Sequence, residues 1–280
     1  MKLDAKMEAS RPSHSGGADD PIRLRCLGFC GADDTVEPAA LKQISERHGW
    51  VEWGILFRPD KAGSARFASD EWLTRLGQVN SAGRMRLAGH LCATHVDDLL
   101  RGDTSFVRKL RDAGFQRLQV NATAANGADV TLFADAAGAA ACGEALLQAM
   151  RAVPEVEFIL QRNSLTRPLW APFLEQSAPP PNMSMLFDES MGMGVTGGAW
   201  HAPPPPHISF GYAGGLSPDN ITEQLARIAE VAPGRELWVD METGVRSGLP
   251  DGSDVFDLAK CLSCLEQVVK LELAPTPAVP

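Results

Sequence analysis

Short apolar runs alternate with amphipathic segments along most of this 280-residue chain, and this alternation limits the fold more than any other feature. Segments such as EPAALKQISERHG and SPDNITEQLARIAEVAPG have the periodicity and end signals of helices. The apolar runs have the length of one buried strand each; they are IRLRCLGF, VEWGILF, RLAGHLCA, FQRLQVNA, VEFILQ, MSMLFD, HISFGYA and ELWVDM. Eight strands separated by helices predict an α/β fold, a single (β/α)8 TIM barrel.

The two ends of the chain differ in composition from the part between them. Ser, Gly and Pro dominate residues 8–21, and LAPTPAVP closes the chain. Such segments bury too little apolar surface to fold by themselves. We therefore expect a disordered tail at residues 1–20, one barrel domain over residues 21–272 and a second disordered tail at residues 273–280.

Charge and cysteine content limit the partners and the compartment. A formal net charge of −9 disfavours nucleic acid or an anionic membrane as the main partner, because both require clustered Lys and Arg. No apolar run approaches the roughly 20 residues that span a bilayer, and the first 20 residues lack the apolar centre of a secretory signal. Six sparse cysteines indicate a reducing compartment. These features predict a cytoplasmic protein without membrane contact, and the barrel fold permits both a monomer and a homodimer.

The sequence gives no convincing metal ligands. Cys261 and Cys264 form a C-x-x-C pair, but apolar residues recur around them at helical spacing, so core cysteines are the better interpretation. A zinc site would need a second pair of ligands at suitable spacing. His90 and His95 in HLCATH are equally weak candidates, and we assign no metal.

Glycines follow the last two predicted strands. Gly214 and Gly215 precede a helix for which Ser217 is the expected N-cap, and Thr243 and Gly244 follow the eighth strand. Backbone N–H groups can approach an anion closely at such positions, and barrels commonly bind a substrate phosphate at this corner. The alternative is that these glycines only turn the chain. Their occurrence after successive strands favours a phosphate site.

Several motifs together resemble one family, the phosphoribosylanthranilate isomerases of tryptophan biosynthesis, a branch of aromatic amino acid biosynthesis. The resemblance runs from about Arg23 to Val269, and its last two motifs are specific in combination. The motifs are FCGADD, WGILFRPDKAGSARFAS, LFDESMGMGVTGGAW, AGGLSPDNI and VDMETGVRSG. The resemblance implies an isomerase that converts an aminoaldose sugar phosphate into an aminoketose phosphate, an Amadori rearrangement that needs an acid and a base but no cofactor.

The resemblance also implies roles for individual residues. Asp188 would protonate the ring oxygen of the sugar, and Cys30 would remove the carbon-2 proton as a thiolate. Arg66 would face the anthranilate carboxylate. Further substrate contacts would come from Gln119, Thr196 and Gly197. For Cys30 the alternative is a packed structural thiol, and for Asp188 it is a turn or N-cap carboxylate.

Four positions depart from the family's pattern. Gly28 stands where a lysine is usual, Asn121 where a histidine is usual, Glu242 where a small serine is usual and Arg246 where an acidic residue is usual. A glutamate beside a phosphate would repel it unless its side chain points away. Three interpretations stay open: an isomerase of phosphoribosylanthranilate itself, a divergent paralogue that takes another sugar phosphate, and a catalytically silent barrel that binds a ligand or a partner protein.

Overall fold

A closed parallel barrel forms the centre of the molecule, as the sequence predicts. The computed structural model describes residues 21–176, 178–188 and 199–275. Each strand pairs with the next, and the eighth strand closes the barrel on the first. The strands are β1 (Arg23–Cys30), β2 (Val51–Phe57), β3 (Arg86–Leu91), β4 (Arg117–Val120), β5 (Glu157–Arg162), β6 (Met183–Phe187), β7 (Ser209–Ala213) and β8 (Glu236–Met241). All eight fall on the predicted apolar runs, and the (β/α)8 fold is confirmed.

Helices cover the outside of the barrel. They are α1 (Pro38–Arg47), α2 (Asp70–Val79), α3 (Thr94–Leu100), α4 (Ser105–Asp112), α5 (Ala136–Ala152), α6 (Arg167–Leu174), α7 (Ile221–Val231) and α8 (Leu258–Lys270). In the described ranges an α-helix follows every strand except β6. Between β8 and α8 the chain forms a short antiparallel pair, β9 (Arg246–Gly248) and β10 (Asp254–Phe256). This pair lies beside the rim where the barrel strands end.

Helix α7 begins later than its sequence signals predict. Ser217 was the expected N-cap, but the helix starts at Ile221. The side-chain oxygen of Asn220 accepts from the Ser217 amide at 2.9 Å, and its Nδ2 donates to the Gly215 carbonyl at 2.8 Å. These two bonds close the loop into a turn before the helix begins. The segment after Gly215 is therefore a fixed turn rather than a helical first turn.

A layer of side chains fills the barrel below its rim. Trp238 packs inside with Cys26, Ile159 and Leu186. Gly211 makes room for the indole, because a Cβ there would lie 2.3 Å from Trp238 Cε2. Below it, Arg117 forms a buried ion pair with Glu52 at 2.6 Å and lies over the Trp238 ring at 4.1 Å. This layer forms a packed floor, so the cavity above it is open to ligands at the rim.

The termini touch the barrel where they are described. The predicted tail at residues 1–20 lies outside the described residues, as do residues 276–280 of the second tail. The Leu273 carbonyl accepts from the Leu24 amide at 3.0 Å, so the chain contacts β1 one residue beyond the predicted end of the barrel at residue 272. Within the described ranges, every helix is too short or too polar to cross a membrane.

Candidate active site

One pocket of about 550 Å³, including its open mouth, lies at the carboxyl ends of the strands. Parallel strands point these ends at a common rim, so residues that follow different strands meet there. Seven predicted site residues line it: Cys30, Gln119, Asp188, Gly214, Gly215, Thr243 and Gly244. It is also lined by His90, Asn121, Asn126, Gln161, Leu186, Ala213, Leu216, Asp240, Met241 and Glu242. The pocket therefore joins the predicted acid, base and phosphate corner.

Cys30 and His90 form a buried pair in this pocket. Cys30 ends β1 and is 1% exposed, and its Sγ lies 3.2 Å from His90 Nδ1 on β3. The two strands are not neighbours, since β2 runs between them. Gly54 of β2 is paired in register with Cys30, and a Cβ there would lie 2.9 Å from His90 Nε2. The missing side chain at Gly54 lets the imidazole reach the thiol.

The surroundings hold both members of this pair neutral. Burial, and then the negative charges of Glu242 and Asp240, raise the pKa of Cys30 well above its usual value. Burial, and then the cation of Arg117, lower the pKa of His90 to about 3. Only a small fraction of Cys30 is therefore thiolate at neutral pH. The cation of Arg246, which favours the thiolate, is outweighed by burial and by the acidic groups.

Asp240 occupies the space that Gly28 leaves open. A Cβ on Gly28 would lie 2.5 Å from Asp240 Oδ1, so a longer side chain at this position would displace the carboxyl group. Burial, and then the negative charges of Glu52 and Glu242, raise the pKa of Asp240 well above its usual value. Gly28, which stands where the family that the sequence resembles has a lysine, thus leaves room for a buried carboxyl group beside Cys30.

Asp188 lies at the rim directly after β6 and is 7% exposed. Gln161 Nε2 donates a hydrogen bond to Asp188 Oδ2 at 2.7 Å, which fixes the orientation of the carboxyl group. The other amide atom, Gln161 Oε1, is buried and accepts no hydrogen bond from the described residues. A ligand hydroxyl entering the pocket could donate to it. Asp188 and Gln161 therefore form one polar unit facing the pocket.

The predicted phosphate corner has unused backbone donors. Among the described residues, the amides of Gly214, Gly215, Thr243 and Gly244 donate no hydrogen bond. Gly214 and Gly215 have φ values of 108° and 68°, in the region that favours glycine. A Cβ on Gly244 would lie 2.0 Å from the Leu216 carbonyl oxygen, so the loops after β7 and β8 pack backbone against backbone. Four spare N–H groups on two touching loops suit an anion.

Arg66 does not line this pocket. Its Nη1 donates to Glu242 Oε1 at 2.9 Å and its Nε donates to Asp254 Oδ2 at 2.8 Å. Its backbone has a φ of 75°, and its amide donates to Asp33 Oδ2 at 2.6 Å, a contact that fixes this strained conformation. The predicted contact of Arg66 with a substrate carboxylate would require both side-chain ion pairs to break. Glu242 is neutralised by Arg66, which reduces its repulsion of a phosphate.

Gln119 and Asn121 line the pocket on the side of β4. Gln119 Nε2 donates to Asn121 Oδ1 at 2.7 Å, and Asn121 Nδ2 donates to Cys92 Sγ at 3.6 Å. The asparagine, which stands where the family that the sequence resembles has a histidine, therefore orients the glutamine. The predicted contacts of Thr196 and Gly197 lie outside the described residues.

Comparisons with known proteins do not assign a family. No family model and no curated protein matches the chain. Solved structures that resemble it include the phospho-2-dehydro-3-deoxyheptonate aldolase of Thermotoga maritima, with 12% identity and a TM-score of 0.47 over 90% of this chain and 69% of that one. D-psicose 3-epimerase from Clostridium cellulolyticum H10 is 12% identical, with a TM-score of 0.45 over 91% and 98%. Triosephosphate isomerase from Bartonella henselae is 13% identical, with a TM-score of 0.41 over 78% and 92%. Values this low carry no argument about activity.

His90 and Asp240 are among the pocket residues that were not identified as site residues from the sequence, as is Gln161. His90 was considered only as a weak metal ligand, and Asp240 was treated as part of a buried strand. Both lie within the last two residues of their strands, which are β3 and β8. A polar residue near the carboxyl end of a barrel strand is itself a signal for the active-site rim. That signal could have identified both residues.

Proposed function

We propose that this protein is an aldose–ketose isomerase that converts an aminoaldose sugar phosphate into an aminoketose phosphate, as its resemblance to phosphoribosylanthranilate isomerases implies. One observation carries the proposal: Cys30, Asp188 and the four spare amides of the glycine corner surround a single pocket. A phosphate at the corner would hold the sugar across the barrel mouth, between an acid and a base.

The proposed reaction begins with two proton transfers. Asp188 gives a proton to the ring oxygen, the bond from that oxygen to carbon 1 breaks, and the nitrogen lone pair forms an iminium. Cys30 as thiolate then removes the carbon-2 proton, and the released electron pair returns the nitrogen to its neutral form as an enolamine. Tautomerisation of the enolamine, in which carbon 1 gains a proton and the carbon-2 hydroxyl loses one, gives the ketose. Proton exchange with solvent then returns Asp188 and Cys30 to their starting forms. Gln161 holds Asp188 in place for the first step.

A substrate without an aryl carboxylate is the second candidate. Arg66, the residue expected to face an anthranilate carboxylate, is already bound to Glu242 and Asp254. That observation favours a divergent isomerase of another aminoaldose phosphate. The two candidates share the acid, the base and the phosphate corner, and they differ only in the group attached to the nitrogen.

Direct assay separates these candidates from a silent barrel. Purified protein is incubated with phosphoribosylanthranilate and with aminoaldose phosphates that lack the aryl carboxylate, and the aminoketose product is measured. Complementation of a cell that lacks the isomerase supports the first candidate. Turnover only of the other substrates supports the second candidate, and absence of turnover of every compound rejects both.

Inorganic phosphate should bind at the glycine corner. We expect Gly244→Ala to weaken phosphate binding by about tenfold or more, because the added Cβ forces the two loops apart and misaligns their amides. Calorimetric titration measures the affinity, and a phosphate soak locates the anion. Gly248→Ala is the matched control, since a Cβ at Gly248 meets nothing within 4 Å. An equal loss in both variants, or an anion bound elsewhere, would reject the assignment.

The reactivity of the Cys30 thiol should rise with pH. The thiolate of Cys30 is the active form, and burial together with Glu242 and Asp240 raises the pKa of Cys30, while His90 lies against it as a neutral imidazole. The rate at which iodoacetamide alkylates Cys30, taken as the difference between the wild type and Cys30→Ser, should therefore climb about tenfold per pH unit from neutral pH to beyond the usual thiol value of about 8.5. The profile is measured on chelator-treated protein. A plateau reached below about pH 8 would contradict a buried thiol as the base.

A further inference from the structure

We propose that Cys30, His90 and Asp240 together form a binding site for one thiophilic divalent transition metal ion of the Zn²⁺ class. This inference goes beyond the proposed isomerisation, which uses no metal. It also differs from the expectation from sequence, which assigned no metal and judged His90 a weak ligand.

The three potential ligand atoms are close together and reachable. They come from the ends of β1, β3 and β8 and lie within 4.8 Å of one another. In the ranges that the structure describes, no other group of three such residues meets that spacing. All three side chains are buried yet line the pocket, so an ion can reach them from the barrel mouth.

Two glycines keep the space around the cluster clear. A Cβ on Gly28 would lie 2.5 Å from Asp240 Oδ1. A Cβ on Gly54 would lie 2.9 Å from His90 Nε2 and 3.0 Å from Cys30 Cβ. Side chains at either position would push the ligand atoms out of this arrangement. The cluster therefore depends on glycine in two adjacent strands.

The charge around Asp240 favours a cation. Asp240 is buried, with only 8% of its surface exposed. In the part of the chain that the structure describes, its carboxyl group nevertheless makes no hydrogen bond and no ion pair. Glu52, Glu242 and Asp188 all disfavour its ionised form, and the arginines that pair with Glu52 and Glu242 form no ion pair with Asp240 itself. Buried carboxylates are normally paired or coordinate a metal. A bound cation would supply the missing counter-charge.

The donor set indicates the class of ion. A thiolate sulfur, an imidazole nitrogen and a carboxylate oxygen suit Zn²⁺ and related ions, whereas Mg²⁺ and Ca²⁺ prefer oxygen ligands alone. Three protein ligands would leave one tetrahedral position for water or another ligand. Binding releases the protons of the Cys30 thiol and the Asp240 carboxyl group to solvent. The metal-bound thiolate cannot serve as a free base, so the ion and the proposed isomerisation compete for Cys30.

The test uses metal binding without substrate, so its result does not depend on the proposed function. Chelator-treated full-length protein is titrated with Co²⁺ and Zn²⁺. We expect one ion per chain and a thiolate-to-cobalt charge-transfer absorption. Cys30→Ser should abolish that absorption, and His90→Gln and Asp240→Asn should each weaken Zn²⁺ affinity by about 100-fold or more. Circular dichroism of the metal-free variants shows whether each one is folded.

Cysteine controls separate this site from other thiols. Cys92→Ser changes a buried neighbour of Cys30, and the double variant Cys261→Ser with Cys264→Ser removes the C-x-x-C pair on α8. Both should leave stoichiometry and affinity unchanged. A wild-type stoichiometry below about 0.1 ion per chain would overturn the proposal, as would cobalt absorption that follows the C-x-x-C pair. The wild-type measurement decides even where a ligand variant fails to fold.

Discussion

Replacing Cys30 with serine should lower kcat on the aminoaldose phosphate by ~100-fold or more, the usual effect of losing a positioned base. A serine hydroxyl fits the same space but does not ionise in the range where a thiol does, so the carbon-2 proton has no acceptor. The affinity for inorganic phosphate should stay unchanged, because the glycine corner is built from backbone amides. Steady-state kinetics and calorimetry on chelator-treated protein measure the two quantities separately.

Two further variants make this result specific. Asp188→Asn should lower kcat to a similar extent, since the amide oxygen can still accept from Gln161 but the side chain cannot supply the ring-opening proton. Cys92→Ser is the matched control, because Cys92 packs beside Cys30 and is equally buried at 1% exposed. If Cys30→Ser reduces only stability, as Cys92→Ser would, and turnover per folded molecule is retained, Cys30 is a core thiol.

The architecture was predictable because it depends on local sequence. Each barrel strand is buried on both sides, so its sequence is a short apolar run. Such a run can be recognised as a strand without knowing which strands pair with it. Closure of the barrel follows from eight such runs separated by helices. The start of α7 was the exception, because the Asn220 side chain closes a turn where a helix signal begins at Ser217.

From the sequence, only those residues of the candidate site that directly follow a single strand could be predicted. Cys30, Asp188 and the glycines after β7 and β8 could be located from sequence because each directly follows its own strand. The contact between Cys30 and His90 could not, since it crosses β2 and depends on the absence of a side chain at Gly54. Such contacts form only when the barrel closes, so no single segment of the sequence predicts them.

The departures from the family's pattern illustrate the same limit. Glu242 and Arg246 stand out from sequence as a reversal of charge, but their partners are distant in the chain. Arg246 binds Asp33 and Asp254, and Arg66 joins Asp254 to Glu242. The unusual residues are thus parts of one network over the loops after β1, β2 and β8. Position-by-position comparison locates them but cannot show that they compensate each other.

Breaking that network should have a large effect on the stability of the protein. Replacing Arg246 with methionine should lower the free energy of unfolding by about 3–5 kcal/mol, the usual result of removing one partner from a buried ion pair. Arg246 is 4% exposed, and its guanidinium binds Asp33 Oδ2 at 2.8 Å, Asp254 Oδ1 at 2.9 Å and the Gly31 carbonyl at 2.6 Å. Methionine keeps the length of the stem but leaves the Asp33 carboxylate, which is 1% exposed, without its cation.

Denaturant unfolding of the variant series measures this loss. Arg111→Met removes an arginine whose partners, Asp112 and Glu155, are exposed, and it should change stability far less than Arg246→Met. Adding Asp33→Asn to Arg246→Met should recover part of the lost free energy of unfolding, because the buried Asp33 carboxylate that has no cation in the single variant is then absent. The effects of the two substitutions are therefore not additive. Equal effects of Arg246→Met and Arg111→Met would mean that the buried pair contributes no more than an exposed one. The loops at the pocket rim would then be held by packing alone, and the charge reversal at Arg246 would need another explanation.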